Sequence, residues 1–251
     1  MTKRRLQGRI ALITGASRGI GRAVALRFAT EGAHVILCAR TQGALEELDD
    51  EILKKTGKSA TLVPINLCDF EAIDHMGIAI FERFKKLDVL VGNAGQLKSL
   101  TPLPQVKPKD WDQIMNINLT ANYRLLRSFD PLLKASDSGR AIFVSSTVTQ
   151  GTWPFWGIYA VSKAGLEAMV KTYAMEIKKT NIKANILNPG PTRTKLRTTP
   201  YPGEDPNTVK PPEMITEYFV QLAEKNCALN GEIIQVDEII NKRIGNNLEK
   251  V

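Results

Sequence analysis

The sequence predicts an α/β protein built on a doubly wound parallel sheet of about seven strands, with helices on both faces. Two observations lead to this fold class. Short apolar runs typical of buried strands alternate with longer runs of helical periodicity from residue 9 to about residue 236. The first predicted strand also passes directly into a glycine-rich turn and a helix. No internal repeat or linker interrupts this alternation, so residues 1–251 are interpreted as a single domain.

The strands are predicted from short apolar runs that are bounded by glycine, proline or polar residues. The first run, Arg-Ile-Ala-Leu-Ile-Thr, is almost entirely apolar, as expected of a buried strand. The seven predicted strands cover residues 9–14, 34–39, 60–64, 87–91, 141–145, 182–187 and 232–236.

The helices are predicted where apolar residues recur at intervals of three and four. The first follows the glycine-rich turn and stops at Gly32, since glycine commonly terminates a helix. Residues 195–212 are rich in proline and polar side chains, which predicts an irregular surface excursion. The polar tail from Asn241 is expected to be frayed. The remaining helices are predicted at about 42–56, 69–85, 110–133, 158–179 and 212–225.

The composition limits the classes of partner. Lys and Arg number 34 against 26 Asp and Glu, so the net charge is +8, which favours phosphate-bearing partners. The basic residues are scattered without interleaved aromatics, which argues against nucleic acid. No apolar run is long enough to span a membrane. The three cysteines, Cys38, Cys68 and Cys227, are far apart and form no metal-ligand pattern with the two histidines, so we expect a reduced, metal-free cytoplasmic protein.

Tyr159 and Lys163 are the first candidate catalytic residues. They lie four residues apart in a predicted helix and therefore share one face about one turn apart. An ammonium beside a phenol favours the phenolate, so Lys163 is expected to bring the pKa of Tyr159 towards neutrality. Such a tyrosine can exchange a proton with a substrate hydroxyl. Ser146 follows a predicted strand and could bind the same oxygen, although the Tyr-Lys pair alone also fits an ordinary solvated helix face.

The glycine-rich turn is a candidate phosphate site. Gly15, Gly19 and Gly21 lie between a strand and a helix, where backbone amides and the helix N-terminus can hold a pyrophosphate. A turn that merely needs flexible residues remains the alternative at this point. The second strand ends at Arg40 without the carboxylate that commonly binds ribose hydroxyls. Arg40 and Arg18 could instead bind a 2′-phosphate, which predicts NADP(H), with NAD(H) the less favoured cofactor.

Together these motifs resemble a known family. In chain order they are Thr14-Gly15-Ala16-Ser17-Arg18-Gly19-Ile20-Gly21, Asn93-Ala94-Gly95, Asn118, Ser146, Tyr159-x-x-x-Lys163 and Asn188-Pro189-Gly190. From about residue 6 to 237 the chain resembles the classical short-chain dehydrogenases/reductases, including bacterial 3-oxoacyl-(acyl-carrier-protein) reductases. The resemblance implies a Rossmann-type fold and NADP(H)-dependent hydride transfer to or from a carbonyl or secondary alcohol. The substrate could be a 3-oxoacyl thioester, linked to an acyl carrier protein, and a homodimer or homotetramer is expected.

The resemblance also implies roles for individual residues. Tyr159 would be the catalytic acid/base, Lys163 would lower its pKa and bind the nicotinamide ribose, and Ser146 would orient the carbonyl. Asn118 would hold a proton-relay water. Cofactor contacts are implied for Gly15, Ser17, Arg18, Gly19, Ile20, Gly21, Arg40, Asn66, Leu67, Asn93, Ala94, Gly95, Tyr159, Lys163, Pro189, Gly190, Thr192 and Thr194.

Three positions depart from the family pattern. Gly92 precedes Asn93 where a second asparagine is frequent, and Asn66 replaces a frequent aspartate near the adenine. Asp237-Glu238 stands where the family usually has a glycine pair after the last strand, which affects how that end meets a neighbouring subunit.

The substrate end leaves several interpretations open. Trp153-Pro154-Phe155-Trp156 could form an apolar wall over the carbonyl, or could fill a loop or a subunit contact. Arg193 or Arg197 could bind an anionic group, or be solvated. A different class of function also fits: an inactive relative that binds NADP and regulates a partner.

Overall fold

The centre of the fold is a seven-stranded parallel sheet. The computed structural model describes residues 4–237 and 239. The strand order is β3-β2-β1-β4-β5-β6-β7, and every neighbouring pair is parallel. The order therefore reverses between β1 and β4, and all carboxyl ends meet at one edge of the sheet. The strands are β1 Ile10–Thr14, β2 His34–Ala39, β3 Thr61–Pro64, β4 Val89–Gly92, β5 Arg140–Val144, β6 Lys183–Asn188 and β7 Ile233–Gln235.

Helices cover both faces of the sheet, which confirms the predicted fold class. They are α1 Gly19–Thr30, α2 Gln42–Thr56, α3 Phe70–Phe84, α4 Pro108–Met115, α5 Ala121–Lys134, α6 Gly157–Glu176 and α7 Thr216–Ala223. Successive residues of β1 point to opposite faces. Ala11 and Ile13 join the core under α1, α2 and α7, whereas Leu12 joins the core under α3, α5 and α6.

The prediction of one long helix over 110–133 is wrong in a way that bears on the site. The helix begins at Pro108, a residue that suits a first helical turn because it has no N–H to lose. It is then interrupted by a π-helical turn over Asn116–Thr120 before α5 begins. Such a turn accommodates one extra residue in the helix and is frequent at functional sites.

The other predicted segments mostly hold. Between Lys195 and Pro212 the chain is irregular apart from a 3₁₀ turn at Pro206–Thr208, as predicted. The helix predicted to reach residue 179 ends at Glu176. The tail from Asn241 lies outside the described residues. Within the described part of the chain, no helix combines the length and apolarity needed to cross a bilayer.

Candidate active site

A cleft of about 450 Å³ lies at the carboxyl edge of the sheet. Its walls come from the segments that follow β1, β2, β3, β4, β5 and β6, together with the start of α6. This is where parallel α/β sheets bind ligands, because the strand order reverses there and the loops on either side separate. All predicted catalytic and cofactor-binding residues line this cleft except Gly21 and Asn118.

The glycine turn brings backbone to the cleft wall. Gly15 and Gly19 have φ values of +66° and +56°, which favour glycine because a side chain there is strained. A Cβ on Gly21 would lie 2.3 Å from the carbonyl oxygen of Gly15, so α1 packs directly against the turn. The first turn of α1 carries no acidic residue and Arg18 supplies no side-chain cap. Its free N–H groups therefore suit a phosphate.

Thr14 and Asn93 tie β1 to β4 where the strand order reverses. The Thr14 hydroxyl donates to the carbonyl of Val91 at 3.1 Å and accepts from the backbone N–H of Asn93 at 3.0 Å. The Asn93 side chain donates to the carbonyl of Thr14 at 2.9 Å. Gly92 is needed because a Cβ there would lie 2.3 Å from the Phe143 ring. The departure at this position therefore compensates for a bulky neighbour on β5.

The far end of the cleft is bounded by two exposed arginines. Arg18 follows β1 and Arg40 follows β2, and both line the cleft. Neither guanidinium forms an ion pair or side-chain hydrogen bond within the described residues. Asn66 is engaged locally, since its side-chain oxygen accepts from the backbone N–H of Cys68 at 3.2 Å. The two arginines thus remain available to an anion.

Ser146, Tyr159 and Lys163 meet at the opposite end. Ser146 follows β5, while Tyr159 and Lys163 lie in the first two turns of α6, where they are 6% and 4% exposed. The Lys163 ammonium donates to the carbonyl of Val144 at 2.8 Å and lies 5.8 Å from the centre of the Tyr159 ring. The Ser146 side chain hydrogen-bonds Tyr159. The structure thus brings together the three groups that the sequence predicted.

The expectation that Lys163 brings the pKa of Tyr159 towards neutrality is wrong for this structure. Burial raises the pKa of Tyr159 to about 12, and the hydrogen bond with Ser146 lowers it only in part. Burial also lowers the pKa of Lys163 to about 8, against the opposing charge of Glu167. The ammonium is engaged by the Val144 carbonyl, so it faces the phenol ring rather than forming a hydrogen bond with the hydroxyl.

Asn118 lies behind the cleft wall, in the π-helical turn. Its side-chain oxygen accepts from the backbone N–H of Gln96 at 2.8 Å. Its side-chain nitrogen donates to the carbonyl of Gln96 and to the hydroxyl of Ser162, both at 3.0 Å. A Cβ on Gly95 would lie 3.3 Å from the side-chain oxygen of Asn118 and 3.7 Å from the Lys163 ammonium. Asn118 therefore holds the Gly95-Gln96 backbone beside Lys163, and its predicted water-holding role stays a prediction.

Comparison with known sequences decides the family. The profile of the short-chain dehydrogenases matches residues 9–205. The chain belongs to the short-chain dehydrogenase family. The resemblance seen in the sequence motifs is thereby confirmed.

Individual relatives of this short-chain dehydrogenase extend over nearly the whole chain. The uncharacterized oxidoreductase YciK of Escherichia coli is 35% identical over 219 residues, which cover 86% of each chain. The 3-oxoacyl-(acyl-carrier-protein) reductase FabG of Thermotoga maritima is 32% identical over 243 residues, or 93% of this chain and 98% of the relative. A crystal structure of a short-chain dehydrogenase from Shigella flexneri complexed with NADP matches with a TM-score of 0.90 at 33% identity, covering 94% of this chain and 100% of that one.

The substrate end of this short-chain dehydrogenase is bounded by aromatic side chains. Trp153, Trp156 and Tyr201 line the cleft, and we call them the aromatic wall. The Trp156 ring centre lies 6.0 Å from that of Tyr159 and 6.2 Å from that of Tyr201, with tilted planes in both pairs. Trp153 and Trp156 thus line the cleft as the first interpretation of this loop expects, whereas Phe155 is exposed outside it and leaves a subunit contact open.

Neither of the two arginines that could bind an anion at this end is an unpaired cation in the cleft. The guanidinium of Arg197 lies 3.8 Å from the centre of the Tyr201 ring and forms two hydrogen bonds with Glu204, at 2.8 and 2.7 Å. Its charge is therefore already paired, and its guanidinium packs on the aromatic wall at Tyr201. Arg193 does not line the cleft. Among the described residues that line this end of the cleft, Lys195 is an exposed cation, and sequence reasoning missed it.

The segment after β6 is fastened at its base. Gly190 has φ +65°, and a Cβ there would lie 1.9 Å from the carboxylate of Asp237. Asp237 also pairs with the ammonium of Lys210, which donates to the carbonyl of Pro191 at 2.7 Å. The departure at Asp237 thus fixes the turn that bears Pro189 and Gly190. Its neighbour Glu238 lies outside the described residues.

Sequence reasoning also missed several lining residues. Gln96 follows the Asn-Ala-Gly motif, and a longer motif would have included it. Lys195 and Tyr201 lie in the irregular excursion, where neither spacing nor periodicity indicates a direction. Among the described lining residues, five are cationic and none is acidic. The cationic ones are Arg18, Arg40, Lys163, Lys195 and Arg197.

Proposed function

We propose that this oxidoreductase of the short-chain dehydrogenase family is an NADP(H)-dependent carbonyl reductase. The observation that carries the proposal is one cleft in which Ser146, Tyr159 and Lys163 adjoin a phosphate-binding glycine turn. Reduction of a carbonyl requires a proton donor, hydrogen bonds to the developing alkoxide and a hydride source. This end of the cleft supplies the first two, and NADPH, when bound, supplies the hydride.

The preference for NADP(H) over NAD(H) is supported by charge. Arg18 and Arg40 are the unpaired cations at the adenosine end, and guanidinium groups bind phosphate through charge-assisted hydrogen bonds. No carboxylate lines the described cleft to hold ribose hydroxyls instead. The Shigella flexneri relative, whose structure contains NADP, adds independent support. The glycine turn and the uncapped start of α1 would hold the pyrophosphate.

Each residue of the catalytic group then has a separate task. The hydroxyls of Ser146 and Tyr159 hold the carbonyl oxygen, and Tyr159 transfers its proton to that oxygen as negative charge develops there. The Lys163 ammonium, oriented by the Val144 carbonyl, stabilises the resulting phenolate. Asn118 keeps the adjacent Gly95-Gln96 backbone in place.

Reduction is the direction that the titration of Tyr159 supports. A phenol whose pKa is raised to about 12 keeps its proton at neutral pH and can donate it. Oxidation of an alcohol begins instead from the phenolate, which is scarce at that pH. The ligand-free site is therefore prepared for proton donation.

For the substrate, we propose a 3-oxoacyl thioester, linked to an acyl carrier protein. The similarity to the Thermotoga maritima 3-oxoacyl-(acyl-carrier-protein) reductase supports this class. The net charge of +8 suits an acidic carrier, and Lys195 is an exposed cation at the substrate end. The aromatic wall gives an apolar surface beside Tyr159 for the acyl group. No observation favours the inactive regulatory alternative, since the three catalytic side chains converge.

A substrate screen with a Tyr159 variant tests the proposal. NADPH oxidation is followed over 3-oxoacyl thioesters, sugars, quinones and simple ketones. Tyr159→Phe should retain folding and NADPH binding and lose nearly all turnover, because it lacks only the hydroxyl that donates the proton. Tyr123→Phe, at a 52% exposed tyrosine on α5, is the matched control and should keep its activity. Substantial turnover by Tyr159→Phe would refute the assignment, and activity confined to another carbonyl class would refute the thioester.

We also propose that the protein forms a homodimer or homotetramer. Large apolar side chains are exposed on three neighbouring helices of the chain, namely Trp111 on α4, Tyr123 on α5, and Val161 and Met175 on α6. Burying them against a second copy would remove apolar surface from water. Light scattering coupled to size-exclusion chromatography tests this association, and a monomer at micromolar concentration would contradict it.

A further inference from the structure

Glu167 lies one helical turn beyond Lys163 on α6, and its carboxylate contacts the segment that carries Ser146. The hydroxyl of Ser145 donates to its Oε1 at 2.5 Å. The hydroxyl of Thr149 lies 2.8 Å from the same oxygen. These two residues stand on either side of Ser146, so one carboxylate oxygen holds the chain before and after it.

We propose that Glu167 is a positioning residue, which fixes Ser146 against Tyr159 and keeps Lys163 in its cationic form. The inference rests on the proposed function, because it concerns the same three catalytic groups. It assigns a task to a side chain that does not line the cleft and so has no direct contact with substrate.

The positional part follows from what holds Ser146. Besides its hydrogen bond with Tyr159, its side chain accepts a long hydrogen bond, 3.4 Å, from the backbone N–H of Val148. Its carbonyl accepts from the N–H and the hydroxyl of Thr149, at 3.2 and 2.9 Å, so Thr149 links Ser146 to Glu167. Ser145 is anchored to the sheet, since its N–H donates to the carbonyl of Leu187 at 2.9 Å. The loop that leads from there to α6 is exposed, with Trp153 56% accessible. Together with the hydrogen bond between Tyr159 and Ser146, the side chains of Lys163 and Glu167 therefore tie α6 to the Ser146 segment.

The electrostatic part follows from the surroundings of Lys163. Burial lowers the pKa of this lysine to about 8, and the negative charge of Glu167 opposes that effect. The other groups that face the ammonium are the Tyr159 phenol, the Val144 carbonyl and the neutral Gly95 backbone. Within the described residues, Glu167 is thus the charged group that favours the ammonium.

Glu176 is a natural comparison on the same helix. It lies near the end of α6, is exposed, and forms no hydrogen bond or ion pair within the described residues. Glu176→Gln therefore removes the same charge from α6 without touching the Ser146 segment. It is the matched control for Glu167→Gln.

Two variants separate the two parts of the proposal. Glu167→Gln keeps an oxygen that accepts from Ser145 and Thr149 but removes the charge. Its maximal kcat should stay within about threefold of wild type, while the alkaline limb of its kcat–pH profile should move down by about one pH unit. The double variant Ser145→Ala/Thr149→Val keeps the charge but removes both contacts with Glu167, together with the hydrogen bond from the Thr149 hydroxyl to the Ser146 carbonyl. Its kcat should fall about tenfold or more with an unmoved limb, because small misplacements of a catalytic group are costly.

The measurements are kcat against pH at saturating NADPH and, in parallel, NADPH affinity against pH by fluorescence. An alkaline limb in Glu167→Gln that coincides with those of Glu176→Gln and wild type would overturn the proposal. So would an unchanged kcat in the double variant. If the wild type turned over no carbonyl, the proposed function would fail instead. The affinity profile of Glu167→Gln would then still decide the role of Glu167. In this variant Lys163 should lose its charge at a lower pH than in the wild type, so NADPH affinity should begin to fall at a lower pH as well.

Discussion

Adding one methyl group at Gly21 should displace the glycine turn of the cofactor site, because Gly21 packs against the side of that turn away from the cleft. A Cβ at this position would lie 2.3 Å from the Gly15 carbonyl oxygen and 2.6 Å from the side-chain nitrogen of Asn93. Ordinary van der Waals contact begins at 3.4 Å, so the Gly15 backbone must retreat by about 1 Å. That backbone is part of the turn that faces the cleft, and Asn93 ties the turn to β4.

Two opposing effects set the magnitude. Alanine stabilises a helix interior relative to glycine by roughly 0.5–1 kcal/mol. Overpacking against fixed backbone costs about 1–3 kcal/mol, and here the neighbouring atom is a carbonyl oxygen that cannot rotate away. The net expectation for Gly21→Ala is a loss of about 1–2 kcal/mol in the free energy of unfolding. NADPH affinity should fall about tenfold or more, because the displaced turn no longer fits the pyrophosphate.

Urea unfolding and NADPH fluorescence titration measure both effects. Gly43→Ala is the matched control: Gly43 lies in the first turn of α2, and a Cβ there meets nothing within 4 Å. This control should bind NADPH normally and be stabilised by up to about 1 kcal/mol. If Gly21→Ala bound NADPH like the wild type and unfolded at the same urea concentration, the packing argument would be refuted.

Three further predictions concern charge. Arg40→Ala should raise the KM for NADPH about tenfold or more and leave the KM for NADH nearly unchanged. Arg193→Ala, outside the cleft, should change neither KM. Equal use of both cofactors by the wild type would contradict the cofactor assignment. Lys163→Met should abolish turnover yet raise stability at pH 7 by roughly 2 kcal/mol in urea unfolding, because burial holds the pKa of Lys163 near 8 rather than 10.5. The charged Lys163 therefore lowers the free energy of unfolding below pH 8, and this effect disappears as pH rises from 8 to 10.5. A methionine variant less stable than the wild type would show that the hydrogen bond to the Val144 carbonyl outweighs the burial effect. Alcohol oxidation should accelerate from pH 6 to 8, where Lys163 keeps its charge, while ketone reduction does not, since the pKa of Tyr159 is raised to about 12. Parallel profiles would argue against Tyr159 as the proton carrier.

The sheet could be predicted because each strand carries its own signal. Residues 34–39, for example, are predicted and observed with the same bounds. Ser146, Tyr159 and Lys163 could be predicted as a group because parallel strands bring their carboxyl ends to one edge, so residues remote in the chain meet there.

Other features depend on tertiary packing that no local pattern expresses. The pKa of Tyr159 is dominated by burial, and the depth of burial follows only from the complete fold. The position of Tyr201 above Trp156 depends on how an irregular segment folds back over the cleft. The pairing of Arg197 with Glu204 has the same origin, which is why the sequence left open whether its charge is available to an anion.

The π-helical turn at Asn116–Thr120 means that residue count, as well as residue identity, is under constraint in this helix. Removing one residue there would restore regular winding, but would rotate α4 by about 100° relative to α5. Gln113, which donates to the side chain of Gln96 at 2.8 Å, would swing away from the cleft while the sheet stayed intact. A deletion that makes the helix regular would therefore leave a folded protein in which the Gln96 side of the cleft is displaced. Variation in length at this point offers a way to change the shape of the cleft without changing the core.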